Sequence, residues 1–272
     1  MSYLDKVAKN IKSVNVQGAK EIAVYGLTFL RKFCKKNGFG LKFEVAAMIL
    51  ERARPTAVVL HNCMEILKKK RSIKTIDQLL RRLRDVTESI GKHGSKIIDK
   101  NCRIMTHCHS GEAMAVIKNA KKGGKNISVI ATETEPLGQG IRTVKELAKA
   151  KIPVTLITDN AVGYFMKDVD MVLVGADALR KREGLVNKTG TSLIAMAAKR
   201  YNKPLYVAAN TLKLDNREKF VIEERLPSEV YKRINGVKIR NPAFDMTSWK
   251  LITAVITEYG IKKPSQIVEM LK

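Results

Sequence analysis

The sequence predicts an α/β protein, with an N-terminal helical domain over residues 1–100 and a Rossmann-like domain over residues 101–272. Two observations lead to this. In the first hundred residues, apolar side chains recur at three- and four-residue steps, which is the period of a helix. After residue 101, short runs of β-branched residues alternate with helical segments, which is typical of a mainly parallel sheet covered on both faces.

The helical domain is indicated by three segments. Leu4, Val7 and Ile11 begin the first helical pattern, and LKFEVAAMILERA continues the same period further on. IDQLLRRLRDVTESIGKHGSKIID predicts one long amphipathic helix, whose apolar side carries Ile76, Leu79, Leu80, Leu83, Val86 and Ile90. We expect this helix to lead into the next domain.

Five strands are predicted in the second domain, at CRIMTHC, ISVIATET, PVTLITD, MVLVGAD and PLYVAA. Helical segments separate them, at GEAMAVIKNAKK, GIRTVKELAKA, NAVGYFMKD and TSLIAMAAKRYN. The crossovers between parallel strands should be right-handed. The tail, WKLITAVITEYG followed by IKKPSQIVEMLK, is expected to return to helix.

The chain is strongly basic, with 51 Lys and Arg against 26 Asp and Glu, for a formal charge of +25. Nucleic acid, a phosphorylated substrate, or simple solvation of lysine-rich helix faces would each suit such a charge. The basic residues are spread along the chain without aromatic RNA-binding motifs. We therefore prefer solvated surface charge and expect no nucleic-acid partner.

Nothing in the sequence predicts a membrane segment, because no apolar run approaches the roughly 18 residues needed to span a bilayer. The N-terminus lacks the pattern of a secretory signal, so we expect a cytoplasmic protein. The four cysteines show no CxxC pair or zinc-like spacing, and we expect neither a disulfide framework nor a bound metal.

Polar residues follow the predicted strands, at the edge of a parallel sheet where ligands bind. They lie at residues 108–110, 133–140, 159–160, 175–177 and 209–213. A thiol, carboxylates, amides and a lysine therefore converge by topology. Cys108 lies between two histidines in MTHCHS. Four roles are open for it at this point: a metal ligand, a nucleophile, a proton carrier or a small core residue.

Six motifs resemble one superfamily in order and spacing: MTHCHS, ETEPLGQG, ITDNAVGYFMKDVDMVLVGAD, GLVNKTGT, PLYVAANTLKL and NPAFDMT. This superfamily contains the initiation factor 2B regulatory subunits and the sugar-phosphate aldose–ketose isomerases. The resemblance covers the chain from about Gln17 to the end. Within the superfamily the sequence is most similar to the archaeal ribose-1,5-bisphosphate isomerases.

The resemblance implies a catalytic pair, Cys108 and Asp177, which the regulatory subunits generally lack. It assigns substrate binding to Gln17, Gly18, Ala19, Arg54, Ser110, Asn187, Lys188 and Lys213. It implies no cofactor or metal. Three positions depart from the isomerase pattern: Gln17 and Glu135 stand where arginines are typical, and Asn210 stands where a glutamate is typical.

The isomerase chemistry requires ring opening and then proton movement from C2 to C1. We predict that Cys108 takes the carbon-bound proton, with its pKa lowered by a helix N-terminus at SGEAM. Asp177 would act as acid and base at oxygen, while Lys188, Lys213 and Arg54 would grip phosphate. Histidines 107 and 109 are expected to pack or form hydrogen bonds, and Asp159 to cap a helix.

The leading hypothesis is isomerisation of ribose 1,5-bisphosphate to ribulose 1,5-bisphosphate, which in the family belongs to archaeal AMP and nucleoside degradation. One alternative is a regulatory subunit that contacts a translation GTPase. Another is a methylthioribose-1-phosphate isomerase, although members of that group usually have a longer chain. The family also implies self-association through the α/β domain, as a homodimer or a higher homo-oligomer.

Overall fold

The computed structural model describes residues 3–13, 15–16 and 18–271. The chain divides into two compact units, Met1–Val86 and Thr87–Lys272. The predicted domain boundary at residue 100 remains a prediction. None of the helices in the described ranges is both long and apolar enough to cross a membrane.

The first unit is helical, as predicted. Its helices are α1 (Tyr3–Lys12), α2 (Ala19–Asn37), α3 (Leu41–Ala53), α4 (Val58–Lys69) and the beginning of α5 (Ile73–Ser95). Each helix buries one apolar stripe, as the helical period requires. On α5 the buried stripe consists of Ile76, Leu79, Leu83, Val86 and Ile90, so the predicted apolar side is confirmed for these five residues.

The second unit alternates strands and helices through β1 (Arg103–Thr106), α6 (Gly111–Lys122), β2 (Ser128–Thr132), α7 (Gln139–Lys149) and β3 (Val154–Ile157). The chain continues through α8 (Val162–Phe165), β4 (Met171–Val174), β5 (Ala178–Arg180), β6 (Gly184–Lys188) and α9 (Thr191–Arg200). It ends with β7 (Leu205–Ala208), β8 (Leu214–Asp215), β9 (Phe244–Thr247), β10 (Ala254–Thr257), β11 (Gly260–Lys262) and α10 (Pro264–Met270).

The main sheet has seven strands in the order β11-β10-β7-β4-β1-β2-β3. All neighbouring pairs are parallel except β10 and β11. The five predicted strands are β1, β2, β3, β4 and β7, and the mainly parallel α/β class is confirmed. From β1 the chain builds outward on one side and then returns to place β4 on the other, so the switch point lies between β1 and β4.

The first part of the tail differs from the prediction of helix, whereas Pro264–Met270 forms α10 as predicted. Residues 254–257 form β10, which pairs with β7 and turns back into the antiparallel β11. Three of the four residues in β10, Val255, Ile256 and Thr257, are β-branched, and the whole strand is buried. Such residues favour strands, and a short apolar run has too few residues for its period to separate helix from strand.

A second, four-stranded sheet in the order β8-β5-β6-β9 was not predicted. Its strand β6 is fully buried and pairs antiparallel with both β5 and β9. It carries Asn187 and Lys188 at its end. This sheet therefore fixes the position of two residues that the resemblance assigns to substrate binding.

Candidate active site

Cys108 lies in the short connection between β1 and α6. Helix α6 begins at Gly111, and Ser110 caps it by accepting a hydrogen bond from the Ala113 amide at 3.3 Å. The predicted helix start just after the cysteine is confirmed. Cys108 itself has a φ of 63°, a left-handed conformation that costs a residue with a side chain about 1–2 kcal/mol. Such strain is common at functional sites.

Threonine side chains hold both peptide groups of Cys108. Its amide donates to Thr134 Oγ1 at 2.9 Å, and its carbonyl accepts from Thr143 Oγ1 at 2.8 Å. Thr134 follows β2 and is also left-handed, with a φ of 64°. The loop after β1 is therefore tied to the loop after β2 and to helix α7.

Asp159, after β3, holds the same region from the other side. Its carboxylate accepts the amides of Thr134 at 2.9 Å and Glu135 at 2.8 Å. The prediction that Asp159 caps its own helix is wrong. Thr158 occupies the N-cap position of that helical turn, and the carboxylate of Asp159 accepts hydrogen bonds from the loop after β2 instead. Glu135 is exposed.

The thiol of Cys108 shares an electrostatic environment with residues from three other strand ends. The pKa of this thiol is raised to about 12, chiefly by burial. The charges of Asp177 and Asp159 also raise it, whereas a hydrogen bond from the His109 backbone and the charge of Lys188 lower it. The predicted lowering of this pKa is wrong, since burial outweighs the helix terminus. Cys108 and Asp177 follow neighbouring strands, β1 and β4, and the charge of Asp177 acts on the thiol; their joint catalytic role stays a prediction.

Lys188 is a buried amine in this environment. Within the described ranges its Nζ forms no hydrogen bond or salt bridge, although Cys108 and Asp159 act on its charge. Burial lowers its pKa, and Cys108 and Asp159 partly restore it. A buried cation without a carboxylate partner is unfavourable until an anion approaches. Lys188 is therefore suited to bind a phosphate or a developing oxyanion.

Lys213, by contrast, already has a partner. Its Nζ lies 3.1 Å from Glu112 Oε1, and the Asn210 amide donates to the same oxygen at 2.8 Å. Lys213 and Glu112 are each only 3% exposed. Burial alone would raise the pKa of Glu112, but the charge of Lys213 and the hydrogen bonds hold it below its usual value. The sequence reasoning missed Glu112, whose only signal was its place in the first turn of α6.

The remaining predicted binding residues are placed as follows. Ser110 lies beside the Glu112 carboxylate, with Oγ to Oε2 at 3.4 Å, and Asn187 donates to Thr191 Oγ1 at 3.0 Å. Gly18, Ala19 and Arg54 belong to the first unit: Gly18 precedes α2, Ala19 begins it and Arg54 follows α3. Gln17 lies outside the described residues. Binding of substrate by these four residues stays a prediction.

Both histidines beside Cys108 form hydrogen bonds, as predicted. His107 is buried between Thr132 Oγ1, at 2.6 Å from Nδ1, and the Thr189 carbonyl, at 2.9 Å from Nε2. His109 Nδ1 lies 3.0 Å from Thr143 Oγ1. Burial lowers the pKa of both imidazoles. Each ring is thus engaged with the frame around the cysteine.

A metal-like grouping occurs elsewhere, in the first unit. Glu51, His61 and Glu65 present ligand atoms within 4.8 Å of one another. Lys68 Nζ lies 2.9 Å from Glu51 and 2.8 Å from Glu65, so an ammonium group already neutralises these carboxylates. The grouping is explained as an ion-pair network.

Residues 15–264 match the model of the initiation factor 2 subunit family. This chain belongs to that family. The predicted resemblance is therefore confirmed. The match takes in α2 to β11 and includes every strand of both sheets. It also includes the connection that carries Cys108.

Within the initiation factor 2 subunit family, the chain is similar to proteins with different names. It is 41% identical to a ribose 1,5-bisphosphate isomerase of Archaeoglobus fulgidus over 97% of this chain and 91% of the relative. It is 39% identical to a methylthioribose-1-phosphate isomerase of Acetivibrio thermocellus over 97% and 89%. The crystal structure of translation initiation factor eIF-2B from Pyrococcus horikoshii superimposes with a TM-score of 0.88 at 28% identity, covering 98% and 99%.

Proposed function

We propose that this protein is an aldose–ketose isomerase that converts ribose 1,5-bisphosphate into ribulose 1,5-bisphosphate. The observation that carries the proposal is that Cys108 follows β1 and Asp177 follows the neighbouring strand β4, while the charges of Asp177 and of the buried Lys188 act on the thiol. A sulfur, a carboxylate and an unpaired amine are the groups that the chemistry needs. The isomerase names of similar proteins support the same reaction class.

The proposed reaction begins with ring opening, for which Asp177 donates a proton to the ring oxygen and later recovers one. Protonation of the ring oxygen breaks its bond to C1. The Cys108 thiolate then takes the proton from C2, and the electron pair left behind forms the C1=C2 double bond of an enol phosphate. Asp177 takes the proton of the C2 hydroxyl as the Cys108 thiol returns its proton to C1, which gives the ketose. The charge of Lys188 favours both the thiolate and the negative charge that develops on the C2 oxygen. Burial supplies the water-poor setting in which these charges act strongly.

The choice of a bisphosphate over a monophosphate depends on how many cations are available. Lys188 has no carboxylate partner among the described residues, whereas Lys213 shares its charge with Glu112. That pairing favours the second candidate, a methylthioribose-1-phosphate isomerase, which needs one phosphate site. The third candidate, a regulatory subunit that contacts a translation GTPase, is favoured by the close match to the eIF-2B structure.

An activity screen separates these candidates. Purified protein is incubated with ribose 1,5-bisphosphate, methylthioribose 1-phosphate and ribose 5-phosphate, and ketose formation is measured by NMR. We expect turnover of the bisphosphate, and loss of about 10²–10⁴-fold in kcat for Cys108→Ser with ligand binding retained by calorimetry. Turnover of the monophosphate alone would move the assignment to the second candidate. Absence of any product, together with co-purification of a GTPase subunit, would move it to the third.

A further inference from the structure

Each histidine beside Cys108 is connected to the cysteine backbone through threonine. On the amide side, Thr134 Oγ1 accepts from the Cys108 amide and lies 3.1 Å from Thr132 Oγ1, which contacts His107. On the carbonyl side, Thr143 Oγ1 contacts both the Cys108 carbonyl and His109. The cysteine is therefore held at both of its peptide groups.

The direction of the hydrogen bonds on the His107 side follows from what each atom can do. A carbonyl only accepts, so His107 Nε2 carries the proton that is donated to Thr189. Burial keeps the ring neutral, and Nδ1 therefore accepts from the Thr132 hydroxyl. The Thr132 oxygen is then free to accept from Thr134, whose own oxygen accepts from the Cys108 amide. All donors point the same way, from Cys108 to Thr189.

The same reasoning fixes the His109 side. The Thr143 hydroxyl donates to the Cys108 carbonyl at 2.8 Å. Its oxygen must then accept from His109, so Nδ1 of His109 carries a proton. The other nitrogen of this ring, Nε2, lies 3.5 Å from Glu146 Oε2. This second chain anchors the carbonyl to helix α7.

The turn after Lys188 rests on the His107 ring. Gly190 has a φ of 108°, and a Cβ at this position would lie 3.0 Å from the imidazole. Since His107 also binds the Thr189 carbonyl, it fixes the turn that follows Lys188. One ring thus touches the backbone on the amine side and, through two threonines, the backbone on the thiol side.

We propose that Thr134 and Thr143 are positioning residues, which hold Cys108 in its left-handed conformation and are themselves oriented by His107, through Thr132, and by His109. This inference rests on the proposed function, since positioning matters only if the thiol reacts. The left-handed conformation is unfavourable for cysteine, and the two threonine bonds oppose its relaxation. Without them the backbone would relax and the sulfur would move from the reacting carbon.

Paired substitutions test this. Thr134→Val and Thr143→Val remove one hydroxyl at nearly constant shape, whereas Thr134→Ser and Thr143→Ser keep it. We expect each valine variant to lower kcat by about 10- to 100-fold, because misplacement of a reacting group by an ångström costs rates of this order. KM should change little, and the serine variants should retain most activity. Thr257→Val is the matched control, since this buried hydroxyl binds the Gly260 carbonyl in a distant turn.

A second measurement does not depend on the substrate. The rate of Cys108 alkylation by iodoacetamide, followed by mass spectrometry of its peptide, should rise severalfold in the valine variants and stay unchanged in Thr257→Val. If the wild type isomerises no sugar phosphate, the proposed function fails and this rate still decides the positioning. Should Thr134→Val not fold, Thr143→Val decides alone. Unchanged kcat and alkylation in a folded valine variant, or equal losses in valine and serine variants, would overturn the proposal.

Discussion

At the residue scale, the Cys108 thiol is governed by burial and by neighbouring charges. Burial and the two carboxylates raise its pKa, and Lys188 acts the other way. A phosphate bound near Lys188 would add negative charge and raise this pKa further. Cys108 can therefore act as the base at carbon only after its proton has passed to another group of the site.

Removal of the Asp159 charge should make Cys108 more acidic. Asp159 raises the pKa of the thiol, so in Asp159→Asn the pH dependence of Cys108 alkylation should move to lower pH. Asparagine keeps one acceptor for the loop amides. Asp168→Asn serves as the control, because it removes an exposed carboxylate that is not among the groups that shift the pKa of Cys108. An unmoved profile in Asp159→Asn would contradict the electrostatic coupling.

Glu112→Gln should destabilise the protein, because it leaves the buried Lys213 without its carboxylate. Breaking a buried ion pair costs about 3–5 kcal/mol, and urea unfolding at pH 7 measures this. Since the folded pKa of Glu112 is lowered, its contribution is complete above the unfolded value of about 4.3 and is lost as pH falls through the folded pKa. The difference from wild type should therefore shrink in acid.

The control for that measurement is Glu88→Gln. Glu88 forms an exposed pair with Lys92, and such pairs contribute about 0.3–0.5 kcal/mol. Equal losses of unfolding free energy in the two variants would show that the buried Glu112–Lys213 pair contributes no more to stability than an exposed pair.

How much of the site could be predicted differs by residue. Cys108 and Asp177 follow strands, and topology alone brings strand ends to one edge. Glu112 lies inside a helix, and its partnership with Lys213 depends on which residues the fold buries together. The pKa of Cys108 was mispredicted for the same reason, because depth of burial is a tertiary property.

At the element scale, the start of α6 lies against the end of β4. A Cβ on Gly175 would lie 2.4 Å from Ser110 Oγ and 2.5 Å from Ser110 Cβ. The cysteine loop and the loop that carries Asp177 therefore approach as closely as glycine allows. Strand–helix contact of this kind sets the spacing between the two proposed catalytic groups.

Gly175→Ala should separate these two elements. We expect a loss of about 1–3 kcal/mol in unfolding free energy from overpacking, together with a lower kcat. Gly163→Ala is the matched control, because a Cβ there meets open space. Normal stability and kcat in Gly175→Ala would show that Ser110 can move away from the added methyl group without an energetic cost.

Some strands could be predicted from local sequence patterns and others could not. Strands β1 to β4 and β7 were predicted because each is a distinct apolar run between helical segments. The hairpin of β10 and β11 was predicted as helix, although Gly260, with a φ of 100°, directly follows the two-residue turn at 258–259 and opens β11. Strands β8 and β9 have two and four residues and pair with distant partners, which local patterns do not reveal.

At the scale of the whole molecule, the predicted self-association has a candidate surface. Leu193 and Met196 lie three residues apart on α9 and are 67% and 49% exposed. Further exposed apolar side chains follow in the long irregular segment before β9, namely Val221, Leu226, Val230, Tyr231, Ile234 and Val237. Exposed apolar side chains in such number are typical of surfaces that meet a partner.

We expect a homodimer through the exposed apolar residues of α9 in light scattering after size exclusion, with association strengthened by salt because each copy carries a formal +25. Leu193→Glu should shift the mass toward the monomer. Leu41→Glu, at a 75% exposed leucine of the first unit, should not. A monomer at all salt concentrations would exclude this association.

The position of β1 beside β4 has a consequence for how the protein matures. The sulfur of Cys108 and the carboxylate of Asp177 are separated by 69 positions in the chain, yet their strands are neighbours at the centre of the sheet. A ribosome-bound chain that ends before Asp177 has made the first four strands of the main sheet, but it lacks both Asp177 and Lys188. Competence for the proposed reaction would therefore arise only late in synthesis, after β6 has been made and has docked with Lys188 at its end.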